Sequence, residues 1–155
     1  MMDTGFRIRP MTYADISGVL EVERASFLTP WSKDAFESEL SHAGFSQYFV
    51  AEDHNRIIGY GGMWVILDEA HITNIAVHPD KRGKKVGEQI LLTLIRTAEA
   101  FGCGGMTLEV RVGNQVAQNL YAKHGFYTRG VRRGYYTDTG EDALIMWRGE
   151  YPGRI

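Results

Sequence analysis

Residues Ile75–Ile95, IAVHPDKRGKKVGEQILLTLI, decide how the rest of the chain is read. The apolar run Ile75-Ala76-Val77 has the character of a β-strand end and stops at His78-Pro79. A basic loop follows, with Lys81, Arg82, Gly83, Lys84, Lys85, Val86 and Gly87. Val86, Ile90, Leu91, Leu94, Ile95 and Ala98 fall at helical spacing, which predicts an amphipathic helix from about Val86 to Phe101, ended by Gly102. Strand, basic loop and helix N-terminus together suit a phosphorylated ligand, because unpaired backbone N–H groups and the positive end of the helix dipole face out of the loop. The Walker A spacing G-x-x-x-x-G-K-S/T is absent, and no G-x-G-x-x-G follows the first strand. Taken alone, the loop reads equally as a solvated basic turn.

Composition narrows the class. A chain of 155 residues is expected to form one domain, residues 1–155, with enough buried surface for a proper core. Its 44% hydrophobic and 23% charged residues are ordinary for a soluble globular protein. A net charge of −2 argues against a nucleic-acid-binding surface. Cys103 is the single cysteine, so no intrachain disulfide forms, which fits a reducing compartment. The start MMDTGFRIRP has no apolar leader, and no apolar run is long enough to span a bilayer. The expectation is a cytoplasmic protein without membrane or nucleic-acid partners, a monomer or weak dimer.

Outward from the opening stretch, the periodicities give β-α-α-β-β-β-α-β-α-β-β. A short strand at Phe6–Arg9 precedes Thr12-Tyr-Ala-Asp15, which has capping-box-like spacing ahead of a helix carrying Ile16, Val19, Leu20, Val22 and Glu23. Ser32 caps a second helix to about Ser41. Strands follow at Gln47–Glu52, Ile57–Ile66 and Ala70–Val77; Gly59, Gly61 and Gly62 in the middle one point to a bulge or close packing. After the long helix come a strand at Met106–Val110, a helix at Gln115–His124 and strands near Tyr127–Arg133 and Ala143–Arg148. The prediction is a mixed α/β sheet of six to seven strands flanked by four helices, antiparallel early and crossing over in parallel around the long helix.

Arg82-Gly83-Lys84-Lys85-Val86-Gly87 resembles the acetyl-CoA-binding signature R/Q-x-x-G-x-G/A of the GNAT superfamily of N-acetyltransferases. Phe27–Ser32, Leu67–Ala70, Leu108-Glu109-Val110, Asn114, Asn119-Leu120-Tyr121, Gly125-Phe126 and Arg132–Met146 extend the likeness along nearly the whole chain. They resemble the RimI-type branch, which acetylates the N-terminal alanine of ribosomal small-subunit protein 18. The resemblance implies the GNAT fold, with its central strands splayed at the cofactor strand, and acetyl-CoA as co-substrate, with no metal. It places the backbone of Ile75, Ala76 and Val77, the loop Arg82, Gly83, Lys84, Lys85, Val86 and Gly87, and Asn114 at the cofactor. The first glycine of the family signature is Lys85 here; the expectation is that this lysine keeps an ordinary φ while Gly83 supplies the freedom.

Strand alternation puts Thr107, Glu109 and Arg111 on one face, opposite Met106, Leu108 and Val110, so Glu109 by itself is a solvated strand residue. The resemblance makes it the general base. Val116, Ala117, Leu120, Tyr121 and His124 share one side of their helix, so Tyr121 by itself is a core aromatic. The resemblance makes it the acid that protonates the departing thiolate. Arg132, Tyr135 and Tyr136, with Trp31 and Phe27 opposite, are candidate walls of a peptide groove, or else ordinary hairpin pairs. The histidines lack metal-ligand spacing. A thiol at a helix C-terminus, such as Cys103, is a poor nucleophile. The alternatives are a lysine or small-amine acceptor, a non-catalytic acyl-CoA-binding module, and a nucleic-acid binder using Lys81–Lys85.

Overall fold

A computed structural model describes residues 5–42 and 44–149. Residues 1–4 lie outside that range. Among the described residues, seven strands form one sheet in the order β1-β2-β3-β4-β5-β7-β6. They are β1 (Arg7–Pro10), β2 (Ser46–Asp53), β3 (Arg56–Ile66), β4 (Glu69–Val77), β5 (Gly105–Arg111), β6 (Tyr127–Tyr136) and β7 (Glu141–Gly149). Four helices flank them: α1 (Ile16–Ser26), α2 (Lys33–Ser41), α3 (Val86–Ala100) and α4 (Gln115–Lys123). The element order matches the sequence periodicities, with ends shifted by one to three residues.

Local chemistry starts each helix. The Asp15 carboxylate accepts the Thr12 N–H at 2.8 Å and pairs with Arg9 at 2.8 Å, which ties the entry of α1 to β1. Ser32 Oγ accepts the Ala35 N–H and caps α2. The first four strands run antiparallel, and α3 then carries the chain over to β5, parallel to β4. Two apolar cores result. Ile90, Leu91, Leu94 and Ile95 of α3 pack with Met63, Ile72, Met106, Leu108, Phe126 and Met146. On the other face Ile16, Val19 and Leu20 of α1 and Phe36 of α2 pack with Tyr48, Val50, Ile57 and Tyr60.

The glycines of β3 are there for close approach. A Cβ on Gly61 would stand 2.4 Å from Ile90 Cγ2, and one on Gly62 would stand 2.2 Å from the Tyr48 ring. The bulge lies in the pairing of β3 with β4: Gly62 faces Asn74 while Met63 faces Ile72, so Thr73 is the extra residue.

That bulge sits where the sheet opens. Strands β4 and β5 pair only at Glu69↔Gly105, Ala70↔Met106 and His71↔Thr107. Beyond His71 the two strands part, and β4 continues to Val77 bonded to β3 alone. Alternate residues from Ile72 to Val77 therefore direct N–H and C=O into the opening.

Candidate active site

The parted strands open a cleft of about 480 Å³. Ile75 from β4, Glu109 from β5, Asn114 just before α4, Tyr121 from α4, Tyr135 and Tyr136 from β6, and Trp31 and Phe27 from the α1–α2 loop all line it. Seven of the residues named from sequence thus meet in one place, with Phe27 as the expected second wall. Ala76, Val77, Arg132 and the loop Arg82–Gly87 do not line this cleft.

The cofactor loop lies beyond it, at the start of α3. Gly83, Lys84 and Lys85 are exposed, and Val86 is buried in the core. One expectation is corrected: Lys85 does not keep an ordinary φ. It stands at φ 65° and ψ 17°, in the left-handed region, as the residue that caps α3. Gly83, at φ 80°, is left-handed as well. The turn into α3 needs two positive-φ residues, and glycine occupies only one of them. The Arg82 side chain turns back on the protein, its Nε donating to the Val77 carbonyl at 3.1 Å. At Gly87 a Cβ would meet only Val77 Cγ2, at 3.5 Å, so the fold itself does not require a glycine there.

Glu109 is built into the opposite side of the opening. Its side chain is 11% exposed. One carboxylate oxygen accepts from His71 Nε2 at 2.8 Å, and the other lies 3.7 Å from an Arg132 guanidinium nitrogen. Burial pushes the Glu109 carboxyl up, but the His71 hydrogen bond and the His71 and Arg132 charges outweigh it, leaving the group below the usual range. Tyr121 packs its ring against Phe126, with centroids 5.8 Å apart. Burial, and to a lesser extent the neighbouring Tyr136, push its phenol up to about 12.

Several supports of this site were not singled out by sequence patterns. Glu23 is fully buried yet lines the cleft. It accepts from the Tyr60 hydroxyl and, at 2.8 Å, from the Trp31 N–H, so it holds the wall carrying Trp31. Burial raises its carboxyl. A carboxylate on the apolar stripe of α1 was the available signal. Arg111 pairs with Asp138 at 3.0 Å and stacks over Tyr136 at 3.9 Å, which ties the β6–β7 hairpin to β5. Glu88, in the first turn of α3, bonds Lys123 and His124 at 2.7 Å each and so pins the end of α4 to α3. These two partners hold its carboxyl down to about 2. The Asn74 amide oxygen is buried at the cleft wall with no hydrogen-bond partner among the described residues.

Other expectations resolve simply. Asn114 caps α4, its Oδ1 accepting the Ala117 N–H at 3.1 Å. Val116 does not share the packed side of α4; it is 83% exposed, whereas Ala117, Leu120 and Tyr121 pack on the core. The Cys103 thiol is raised first by burial and then by Asp68.

The family model for the acetyltransferase (GNAT) family matches residues 16–126, which spans both sides of the opening. The chain belongs to the GNAT family. It is therefore an acetyltransferase, of a fold that binds acetyl-CoA. This GNAT chain is 43% identical over 146 residues to a Bacillus subtilis (strain 168) protein named as a candidate ribosomal protein bS18-alanine N-acetyltransferase; the match covers 94% of the chain and 97% of that relative. The crystal structure of the ribosomal-protein-S18-alanine N-acetyltransferase from Escherichia coli superposes with a TM-score of 0.86 at 30% identity, covering 97% of this chain and 99% of that one. The PaiA N-acetyltransferase from Thermoplasma acidophilum, solved with coenzyme A, shares the fold at a TM-score of 0.79 and 21% identity, covering 96% and 100%.

Proposed function

We propose that this acetyltransferase moves an acetyl group from acetyl-CoA to the α-amine of a protein N-terminus, and that the acceptor is the N-terminal alanine of ribosomal small-subunit protein 18. The observation that carries the proposal is the meeting of Glu109 and Tyr121 across one cleft, opened where β4 leaves β5. The names of the similar proteins support the acceptor.

The residues present fit acetyl-CoA. The free edge of β4 offers strand-like hydrogen bonds around Ile75–Val77. The exposed Gly83–Lys85 loop and the N-terminus of α3 suit a pyrophosphate. At Gly87 a Cβ would make only an ordinary contact with Val77, so the fold itself does not call for the glycine. Bound there, acetyl-CoA supplies the activated thioester. Glu109 takes a proton from the acceptor ammonium and releases the amine lone pair. Backbone N–H groups of β4 meet the charge that grows on the carbonyl oxygen. Tyr121 stays protonated at every working pH, because its phenol is pushed up to about 12. A free thiol ionises near about 8.5, so complete proton transfer from this phenol to sulfur is uphill. Tyr121 therefore acts chiefly by donating a hydrogen bond as the carbon–sulfur bond breaks.

The lowered Glu109 suits an α-amine better than a lysine. At pH 7 an α-amine ionising near 8 is about 10% free base, whereas a lysine near 10.4 is about 0.04%. A carboxylate held below its usual range is a weak base, matched to the less demanding of the two. The test presents acetyl-CoA with peptides beginning Ala-Arg, Met and Ser, and with one whose only amine is an internal lysine. Mass spectrometry is expected to find acetyl on the α-amine of the Ala-Arg peptide. Acetylation confined to the internal lysine would contradict the proposal.

A further inference from the structure

Resting on the reading of Glu109 as the base, we propose that His71 is its positioning residue: it fixes the carboxylate through Nε2–H and makes the base weaker when the ring carries charge. His71 is the last residue of β4 paired with β5, opposite Thr107, so it stands at the apex of the opening. Its Nε2 lies 2.8 Å from one Glu109 oxygen. The Trp64 ring meets the imidazole edge-on at 6.1 Å, and Trp64 is itself held by its Nε1–H donating to Glu39 at 2.7 Å. A carboxylate only accepts, so the hydrogen in the 2.8 Å contact belongs to His71. The same bond is made by the neutral Nε2–H tautomer and by the imidazolium. Only the charge beside Glu109 differs.

That charge matters because Glu109 is little exposed and the pair is poorly screened. An adjacent cation lowers a carboxylate's proton affinity and with it the rate of proton removal. The other groups facing the pair are Arg132 and Tyr135 from β6, with Glu39 from α2 behind Trp64. His71 is the member of the set that can gain or lose a charge while keeping the same N–H donor. With the ring neutral, the hydrogen bond and Arg132 still hold Glu109 down; with the ring charged, the base is weaker again and stays in the same place.

The test compares kcat/KM for acetylation of an Ala-Arg peptide by the wild type, His71→Gln and His71→Ala from pH 5.5 to 8.5. Taking ratios cancels the titration of the acceptor amine. Glutamine keeps an N–H donor without a charge. His71→Gln is expected to match the wild type within about twofold at pH 8 and to exceed it about threefold at pH 5.5. His71→Ala, which loses the donor, is expected to fall about tenfold at pH 8. A His71→Gln to wild-type ratio that stays constant across the range overturns the proposal, as does a His71→Gln variant that falls as far as His71→Ala. Glu109→Gln in the same assay separates the two readings. Full turnover by it overturns the base assignment, whereas an inactive Glu109→Gln beside a flat His71→Gln ratio overturns the role of His71 alone.

Discussion

The two sides of the sheet opening are built from different material. The Arg82–Gly87 loop offers mainly backbone: its lysines are exposed, and its one ordered guanidinium is turned back on Val77. The Glu109 side is built from side chains that hold one another: His71 and Arg132 fix the carboxylate, and Arg111 with Asp138 fixes the hairpin wall. The contrast follows from the work proposed for each. A pyrophosphate is held by many equivalent N–H groups, which almost any sequence supplies once the path of the turn is set. Proton removal depends on one carboxylate with a chosen strength and direction. The loop should therefore tolerate side-chain exchange that leaves its path intact, and the Glu109 side should not.

The largest effect sharpens that contrast on the acceptor side. Glu109→Gln is expected to lower kcat by at least about 100-fold, and Tyr121→Phe by about tenfold, read in steady-state assays with the Ala-Arg peptide. Substitution in the loop is expected to do something different. Lys85→Gly relieves a left-handed residue at a cost of about 1–2 kcal/mol and gives back about 0.5–1 kcal/mol of chain entropy. The net is a stabilisation of up to about 1.5 kcal/mol, seen as a raised unfolding midpoint, with peptide turnover little changed. A fall in kcat comparable to that of Glu109→Gln would break the contrast. The smallest effect is a shift of the acid limb. Arg132 helps hold the Glu109 carboxyl down. Arg132→Gln should let that carboxyl rise, so activity is lost at a higher pH as the solution is acidified. The pH profile of kcat/KM should move up by a few tenths of a unit, as suits a half-exposed ion pair.

The difference between the two sides also explains what sequence could show. The loop is local: strand, turn and helix follow one another between Ile75 and Ile95, and their periodicities give that succession directly. So do the element order and the close packing at Gly61 and Gly62. The conformation of Lys85 was not legible, because a lysine gives no local sign of a left-handed φ; that follows from the path the chain takes between Val77 and α3. The Glu109 side is non-local. Glu109 was visible as an alternating strand residue, and Tyr121 as an apolar helix position, but their meeting depends on β4 and β5 parting after His71. The His71–Glu109 contact depends on the parallel register His71↔Thr107, which no local pattern encodes. Glu23 was visible as a misplaced charge, and its partner Tyr60 lies 37 positions away.

The most direct measurement is the affinity for acetyl-CoA, by isothermal titration calorimetry, of Gly87→Ala beside Glu109→Gln. A Cβ at Gly87 meets only ordinary contact within the protein, so the variant should fold as stably as the wild type. It should nevertheless bind acetyl-CoA about tenfold more weakly, because the added methyl occupies room kept for the ligand. Glu109→Gln should bind acetyl-CoA within about twofold of the wild type while failing to turn it over. Wild-type affinity in Gly87→Ala, or an equal loss of affinity in Glu109→Gln, would contradict the division of the opening into a backbone cradle and a side-chain base.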